Sequence, residues 1–339
     1  MRRPGTAFAL ALLIGAASAL AAAPAVRGKL ERPAYVAGDG WVYDLRGSLG
    51  AFPGTNASEV GSFSFDLRGR VDVDVRGTDQ VDVGGVPSAV VRVATRATGF
   101  LNGTFDLPNS TFPGTVTGTF TSNAAELWNA SSFLPVASTG TTTYLASISL
   151  FITIDVTTSI RIESTTAYAS HPAFDLDVGE SASASFASDI LANTTISGLG
   201  APISSENATT VAGTWRREVL AETNVSVDAG TFPVFVMNQT LSGFPGLAGL
   251  VPPDGANETA YWSNGAGNYV KRDAYANGTE IAEMSLRSTT YPYRPGLSAL
   301  ALSLVVGVPL LALVATVPFV RRRRKAKPRP TPGGEPPAR

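Results

Sequence analysis

The stretch "YLASISLFITIDVTTSIRI", residues 144–162, alternates with a period of two. Its even positions read Tyr144, Ala146, Ile148, Leu150, Ile152, Ile154, Val156, Thr158, Ile160 and Ile162. The odd positions are mostly Ser, Thr, Asp or Arg, with Leu145 and Phe151 as exceptions. Successive side chains of an extended chain point to opposite faces, so this pattern specifies β-structure with one buried face. At about 3.3 Å per residue the run would span roughly 60 Å, well beyond an ordinary strand. It must bend, break at a bulge, or wrap. Residues 63–75 behave alike: Phe63, Phe65, Leu67, Val71, Val73 and Val75 face one way, and Ser64, Asp66, Arg68, Arg70, Asp72 and Asp74 the other. A long antiparallel sheet with one buried face follows. No stretch between residues 30 and 290 carries a long helical period, which leaves room for short helices only near Ala124–Trp128 and Asp189–Asn193.

The ends of the chain have other compositions. Residues 1–23 carry Arg2 and Arg3, then an uncharged Ala- and Leu-rich run that closes in small residues. That is the layout of a secretory signal peptide, with cleavage expected among Ala21 to Ala25. Residues 296–320 contain no charge, enough to cross a hydrocarbon core of about 30 Å as one transmembrane helix. Arg321 to Arg324, Lys325 and Lys327 follow at once, and basic residues stay on the cytoplasmic side. The expected location is the cell membrane, with a single pass, the N-terminus outside and the C-terminus inside. Residues 321–339 form a basic, Pro-rich tail with no apolar residues to build a core.

Charge separates the two sides. Residues 24–295 hold 16 basic and 26 acidic groups, whereas the tail from Arg321 carries eight basic groups against Glu335. Beside a membrane span, such a tail orients the chain and attracts anionic lipid, so nucleic acid is not expected as a partner. The chain has no cysteine. An exterior of this size can bury a sufficient core without disulfides, and their absence in an exported chain points to a prokaryotic surface. Of 13 asparagines in the exterior, ten stand in Asn-x-Ser/Thr: Asn56, Asn102, Asn109, Asn129, Asn193, Asn207, Asn224, Asn238, Asn257 and Asn277. Chance would place roughly three there, so the composition points to N-glycosylation on an exposed surface.

The exterior also repeats itself. "RPAYVAGDGW" (32–41) is echoed by "HPAFDLDVGES" (171–181), and "VDVGGVPSAVV" (81–91) by "VSVDAGTFPVFV" (225–236). "ESTTAYASHP" (163–172) is echoed by "RSTTYPYRP" (287–295), and Trp128 and Trp262 fall at comparable points. Echoes in one order indicate tandem related units, expected over residues 30–171 and 172–295.

The segments "YVAGDGWVY" (35–43), "VSVDAGTFPVFV" and "YWSNGAGNYVKRDAYANGT" (261–279) resemble a pattern of prokaryotic exported β-proteins. Those proteins look like half-barrel sheets related to periplasmic lipoprotein carriers. The first half lacks a YWSNGAG-like strand, and Ser181-Ala182 replace the Gly-Trp pair at the second opening. The resemblance implies an all-β ectodomain of two tandem antiparallel curved-sheet units, half-barrel or sandwich-like, and a trough able to shelter acyl chains. An exported, cysteine-free, sequon-rich chain with one C-terminal span also resembles archaeal cell-surface glycoproteins. "RPGLSALALSLVVGVPLLALVATVPFVRRRRK" (294–325) is similar to archaeal C-terminal sorting signals of the PGF type, in which the helix is exchanged for a lipid. Leu297 stands where that motif has Phe, and the tail runs on to Arg339, so a retained helix is the preferred expectation.

Candidate chemistry is sparse. His171 is the only histidine and lies at a proline junction, so the usual nitrogen and sulfur ligands for zinc or copper are not available. No serine occupies a G-x-S-x-G turn that could join His171 in a triad. Acidic pairs such as Asp72 with Asp74, or Asp175 with Asp177 and Glu180, share strand faces and could ligate calcium. A solvated acidic face is the preferred reading, and no metal, cofactor or catalytic residue is assigned. Trp41, which alternates with Tyr43, is expected in the core. Trp262 and Tyr261, among glycines, are the candidate ligand contacts, and the apolar loop 243–257 marks a contact or a cap. The expected function is a membrane-anchored, N-glycosylated surface protein with a non-enzymatic binding or structural ectodomain. The alternatives are a carrier of lipid or another hydrophobic ligand and, less favoured, a surface hydrolase. The partner classes are lipid, glycan or another surface protein.

Overall fold

A computed structural model describes residues 28–49, 62–83, 86–106, 114–149, 152–170, 174–198, 200–240, 257–276 and 278–292. The expected signal peptide, transmembrane helix, basic tail, His171 and most of loop 243–257 lie outside the described residues, and no described helix is long and apolar enough to cross a membrane.

The run at 144–162 breaks into a hairpin. Its first part ends one strand (Pro135–Ser149) and its second part opens the next (Thr153–Tyr168), with Ile148 paired to Ile154. The alternation reads continuously because Ile148 and Ile154 are an even number of residues apart and keep the same inward face.

In chain order the strands are β1 (Gly40–Leu49), β2 (Ser62–Val83), β3 (Val86–Asp106), β4 (Gly114–Asn129), β5 (Pro135–Ser149), β6 (Thr153–Tyr168), β7 (Ser181–Ser197), β8 (Ile203–Val227), β9 (Gly230–Thr240), β10 (Asn257–Ser263), β11 (Asn268–Ala276) and β12 (Thr279–Thr289). The short helices allowed at Ala124–Trp128 and Asp189–Asn193 are instead parts of β4 and β7. Each strand pairs antiparallel with its sequence neighbours, and β12 pairs with β1, so the sheet closes into a barrel.

The pleat sorts the residues. Phe65, Leu67, Val71, Val73 and Val75 of β2 are buried, while Ser64, Asp66, Arg68, Arg70 and Asp74 are exposed. Thr115, Thr117, Thr119 and Thr121 of β4 are exposed between buried Val116, Phe120 and Ser122. Apolar inside and charged outside is the reverse of a barrel that spans lipid.

Two glycines make room for the Phe120 ring in the β2–β4 wall. Gly69 faces Gly99 in the ladder, and Phe120 faces Gly99 from β4. A Cβ on Gly99 would sit 2.2 Å from the Arg68 carbonyl and 2.5 Å from the Phe120 ring.

The expected units contribute six strands each, β1–β6 and β7–β12, to a single ring. Their openings make the same hydrogen bonds. Gly38 N donates to the Val75 carbonyl at 3.0 Å and Val75 N to the Asp39 carbonyl at 2.8 Å; Gly179 N donates to Val219 at 2.8 Å and Val219 N to Glu180 at 3.0 Å. Val36 N donates to Asp39 Oδ2 as Asp177 N does to Glu180 Oε2. Gly38 (φ 97°) and Gly179 (φ 92°) both occupy a backbone region that favours glycine. Bulges recur at Val75/Gly77 and Val219/Ala221, and at Leu127/Trp128 and Tyr261/Trp262.

In an up-and-down ring alternate connections share one end, and here both openings cap that end. Leu30 N donates to the Leu176 carbonyl at 3.0 Å. Tyr35 Oη donates to the Gly267 carbonyl at 2.7 Å and Trp41 Nε1 to Ala266 at 2.8 Å. Phe133 bridges Tyr35 and Phe174, with ring centroids 4.6 and 5.4 Å away. One apolar cluster runs through β1–β6 and β12 and takes in Val234 of β9 and Val270 of β11, and a second joins Leu30, Phe174 and Leu176 to Val219, Met237, Ala260 and Trp262.

Candidate functional site

The ten sequon asparagines fall into four groups. Asn56, Asn109 and Asn277 lie outside the described residues. Asn102, Asn207, Asn224, Asn238 and Asn257 are exposed, and Asn193 is half-buried. Asn224 and Asn238, which flank the β8–β9 turn, are both on the surface. Asn129 is the exception, at 5 % exposure. Its Oδ1 accepts from Ser131 N at 2.9 Å, Ser131 Oγ at 2.6 Å and Ser132 N at 3.2 Å, which knits the β4–β5 turn. Here the Ser of the sequon serves the fold.

Trp262 is not a surface aromatic. It is 2 % exposed, against Phe174 at 5.2 Å and Tyr269 at 5.1 Å. The β10 residues Ala260 and Trp262 point to the core, and the carbonyls of Ala266 and Gly267 in the following turn accept from the cap. Tyr261 is half-buried on the other side, with Lys271 Nζ 5.9 Å from its ring centroid. Burial raises the Tyr261 phenol, with Asp273 adding to the rise. Trp41, Trp128 and Trp215 are core residues.

Period-two reading missed a charged network inside the wall β8–β11. Glu258 is fully buried and accepts from Arg272 Nε at 3.1 Å and from its terminal nitrogen at 2.6 Å. Gln239 Nε2 donates to the other oxygen of Glu258, and Gln239 Oε1 accepts from Arg217 Nε at 3.2 Å. The Arg217 guanidinium lies 4.9 Å from the rings of both Phe174 and Trp215. Burial pulls the Arg272 guanidinium down, yet Glu258 carries it above its ordinary value. Burial raises the Tyr43 phenol, whose Oη donates to the Tyr269 carbonyl at 3.1 Å. Both oxygens of Glu258 are engaged and no part of it reaches solvent, so its chemistry is to neutralise Arg272. A sequence signal did exist: Arg217, Gln239, Glu258 and Arg272 all hold inward positions in their strands.

Two open depressions mark the outer face. One, about 320 Å³, is lined by Thr117, Thr119, Leu145, Ser147, Asp155 and Thr157; the other, about 200 Å³, lies among Arg46, Ser48, Asp66, Arg68, Glu280 and Glu283. Comparison with known proteins returned no matching family model, curated protein or solved structure.

Proposed function

We propose that this chain is an exported, membrane-anchored surface glycoprotein whose barrel is a non-enzymatic binding or structural body. One observation carries the reading: five sequon asparagines from β3, β8, β9 and β10 stand exposed on a barrel whose outer face is hydroxyl-rich and charged. Glycans need an accessible amide, and a polar outer face tolerates them without loss of apolar packing. The inner face supports a body rather than a carrier. Phe65, Phe120 and Tyr144 belong to one buried cluster, with Phe120 and Tyr144 ring centroids 6.3 Å apart, where a lipid trough would need open apolar walls. The recurrent openings of β1 and β7 support an origin in two tandem six-stranded units. The signal peptide and the transmembrane span expected from the sequence at 296–320 complete the reading as the export and anchoring devices.

Glycopeptide mapping of the mature protein tests it. Glycans are expected on Asn102, Asn207, Asn224, Asn238 and Asn257, and none on Asn129. A mature protein with all five unmodified would refute the glycoprotein reading.

A further inference from the structure

β12 carries Glu280 and Glu283, an interval that places two side chains on opposite faces of a regular strand. The ladder to β11 is irregular. Ala274 faces Ala282 while Tyr275 faces Glu280, so Ile281 is an extra residue. A bulge of this kind inverts the alternation and re-aims a side chain. Glu280 thereby joins Glu283 and Asp273, which face each other across the ladder, and one carboxylate oxygen from each of the three lies within 4.8 Å of the others.

A second observation concerns Asp273 alone. It is 4 % exposed. Its Oδ2 accepts from Lys271 Nζ at 3.0 Å, but its Oδ1 is buried and meets no hydrogen-bond donor among the described residues. Burial pushes the Asp273 carboxyl up and Glu283 adds to the rise, against the pull of Lys271. Lys271 pairs with Asp273 alone; Arg46, which faces Glu283 across the β1–β12 ladder, makes no ion pair with it among the described residues, and a buried acceptor without a donor is costly.

We propose that Asp273, Glu280 and Glu283 bind a calcium-type divalent cation on the outer face of β11–β12. The donor set is all oxygen, as hard cations require, and holds none of the imidazole or thiolate that selects zinc or copper. Calcium accepts irregular carboxylate geometry, whereas magnesium demands near-ideal octahedral ligands. A divalent charge offsets the repulsion among the three carboxylates, and the under-satisfied Asp273 carboxylate gains a partner. The ion ties β11 to β12, the strand that closes the barrel on β1, so the assignment is independent of glycosylation.

Terbium reports such a site. The full-length protein, stripped with chelator, is titrated with Tb³⁺ while its tyrosines are excited; Tyr275 faces Glu280 in the ladder, and Tyr261 lies beside Lys271, the partner of Asp273. The expected result is saturable single-site emission that Ca²⁺ displaces at about 0.1–1 mM, the range of extracellular modules. Saturating Ca²⁺ should raise the unfolding temperature by about 2–4 °C. Glu280→Gln, at an exposed position, should keep the fold and weaken Ca²⁺ by about tenfold or more, because affinity follows ligand charge. Glu206→Gln, on exposed β8, should bind as the wild type does. Absence of saturable emission, or wild-type affinity in Glu280→Gln, overturns the assignment.

Discussion

Single residues set the tolerances of this barrel. The Gly69–Gly99 pair exists because the Phe120 ring lies over it, and a methyl on Gly99 would meet a backbone carbonyl that cannot swing away. Gly99→Ala should therefore cost about 1–3 kcal/mol, read as a lower urea midpoint with unchanged slope. Buried tyrosines set the alkaline limit. Burial raises the phenols of Tyr35, Tyr43 and Tyr144, and partial burial pushes the half-buried Tyr168 up to about 12. Their ordinary value is near 10, so above it the unfolded chain loses protons that the fold retains, and stability falls as pH rises. The contribution is intact below pH 10 and, for Tyr168, fully lost above about 12. Ultraviolet titration should show these four ionising together with loss of β circular dichroism; gradual ionisation in an intact fold would refute the burial. Asn129 marks the limit of reading at this scale. Its sequon is spelled like the others, and only the β4–β5 turn decides that the side chain is buried with its oxygen accepting from Ser131 and Ser132.

At the scale of strands, alternation carried the inward and outward assignment of β2, β5 and β6, and the breaks in alternation carried the rest. The bulge at Ile281 is invisible in sequence, where Glu280 and Glu283 read as residues of opposite faces. The hairpin inside 144–162 was equally hidden, because its turn preserves parity. Arg217, Gln239, Glu258 and Arg272 sit on four different strands, and only their ladders bring them together. Breaking this network should cost more than removing it. Glu258→Ala strands a buried guanidinium and should cost about 3–5 kcal/mol. Adding Arg272→Met should recover part of that loss, as a coupling of about 1 kcal/mol or more in a double-mutant cycle. Additive losses would show that the pair is not coupled.

At the scale of the molecule, closure makes the two halves one cooperative body. β6 pairs with β7 and β12 with β1, so either half alone would expose two long edge strands and the inner face of its sheet. Residues 28–170 and 174–292 expressed separately should each lack a cooperative unfolding transition, while 28–292 unfolds in one step. A half that melts cooperatively by itself would contradict this. The sequence by itself determined that residues 30–290 are β-structure with one apolar face, that their openings and turns repeat in order, and that Trp41 is core, because period, turn chemistry and hydrophobicity are local properties. It could not determine whether six strands and six more form two bodies or one ring, which side of β10 carries Trp262, which sequon is buried, or which carboxylates converge. Those depend on register, bulges and closure, where residues far apart in the chain meet, and only the tertiary structure sets such pairings.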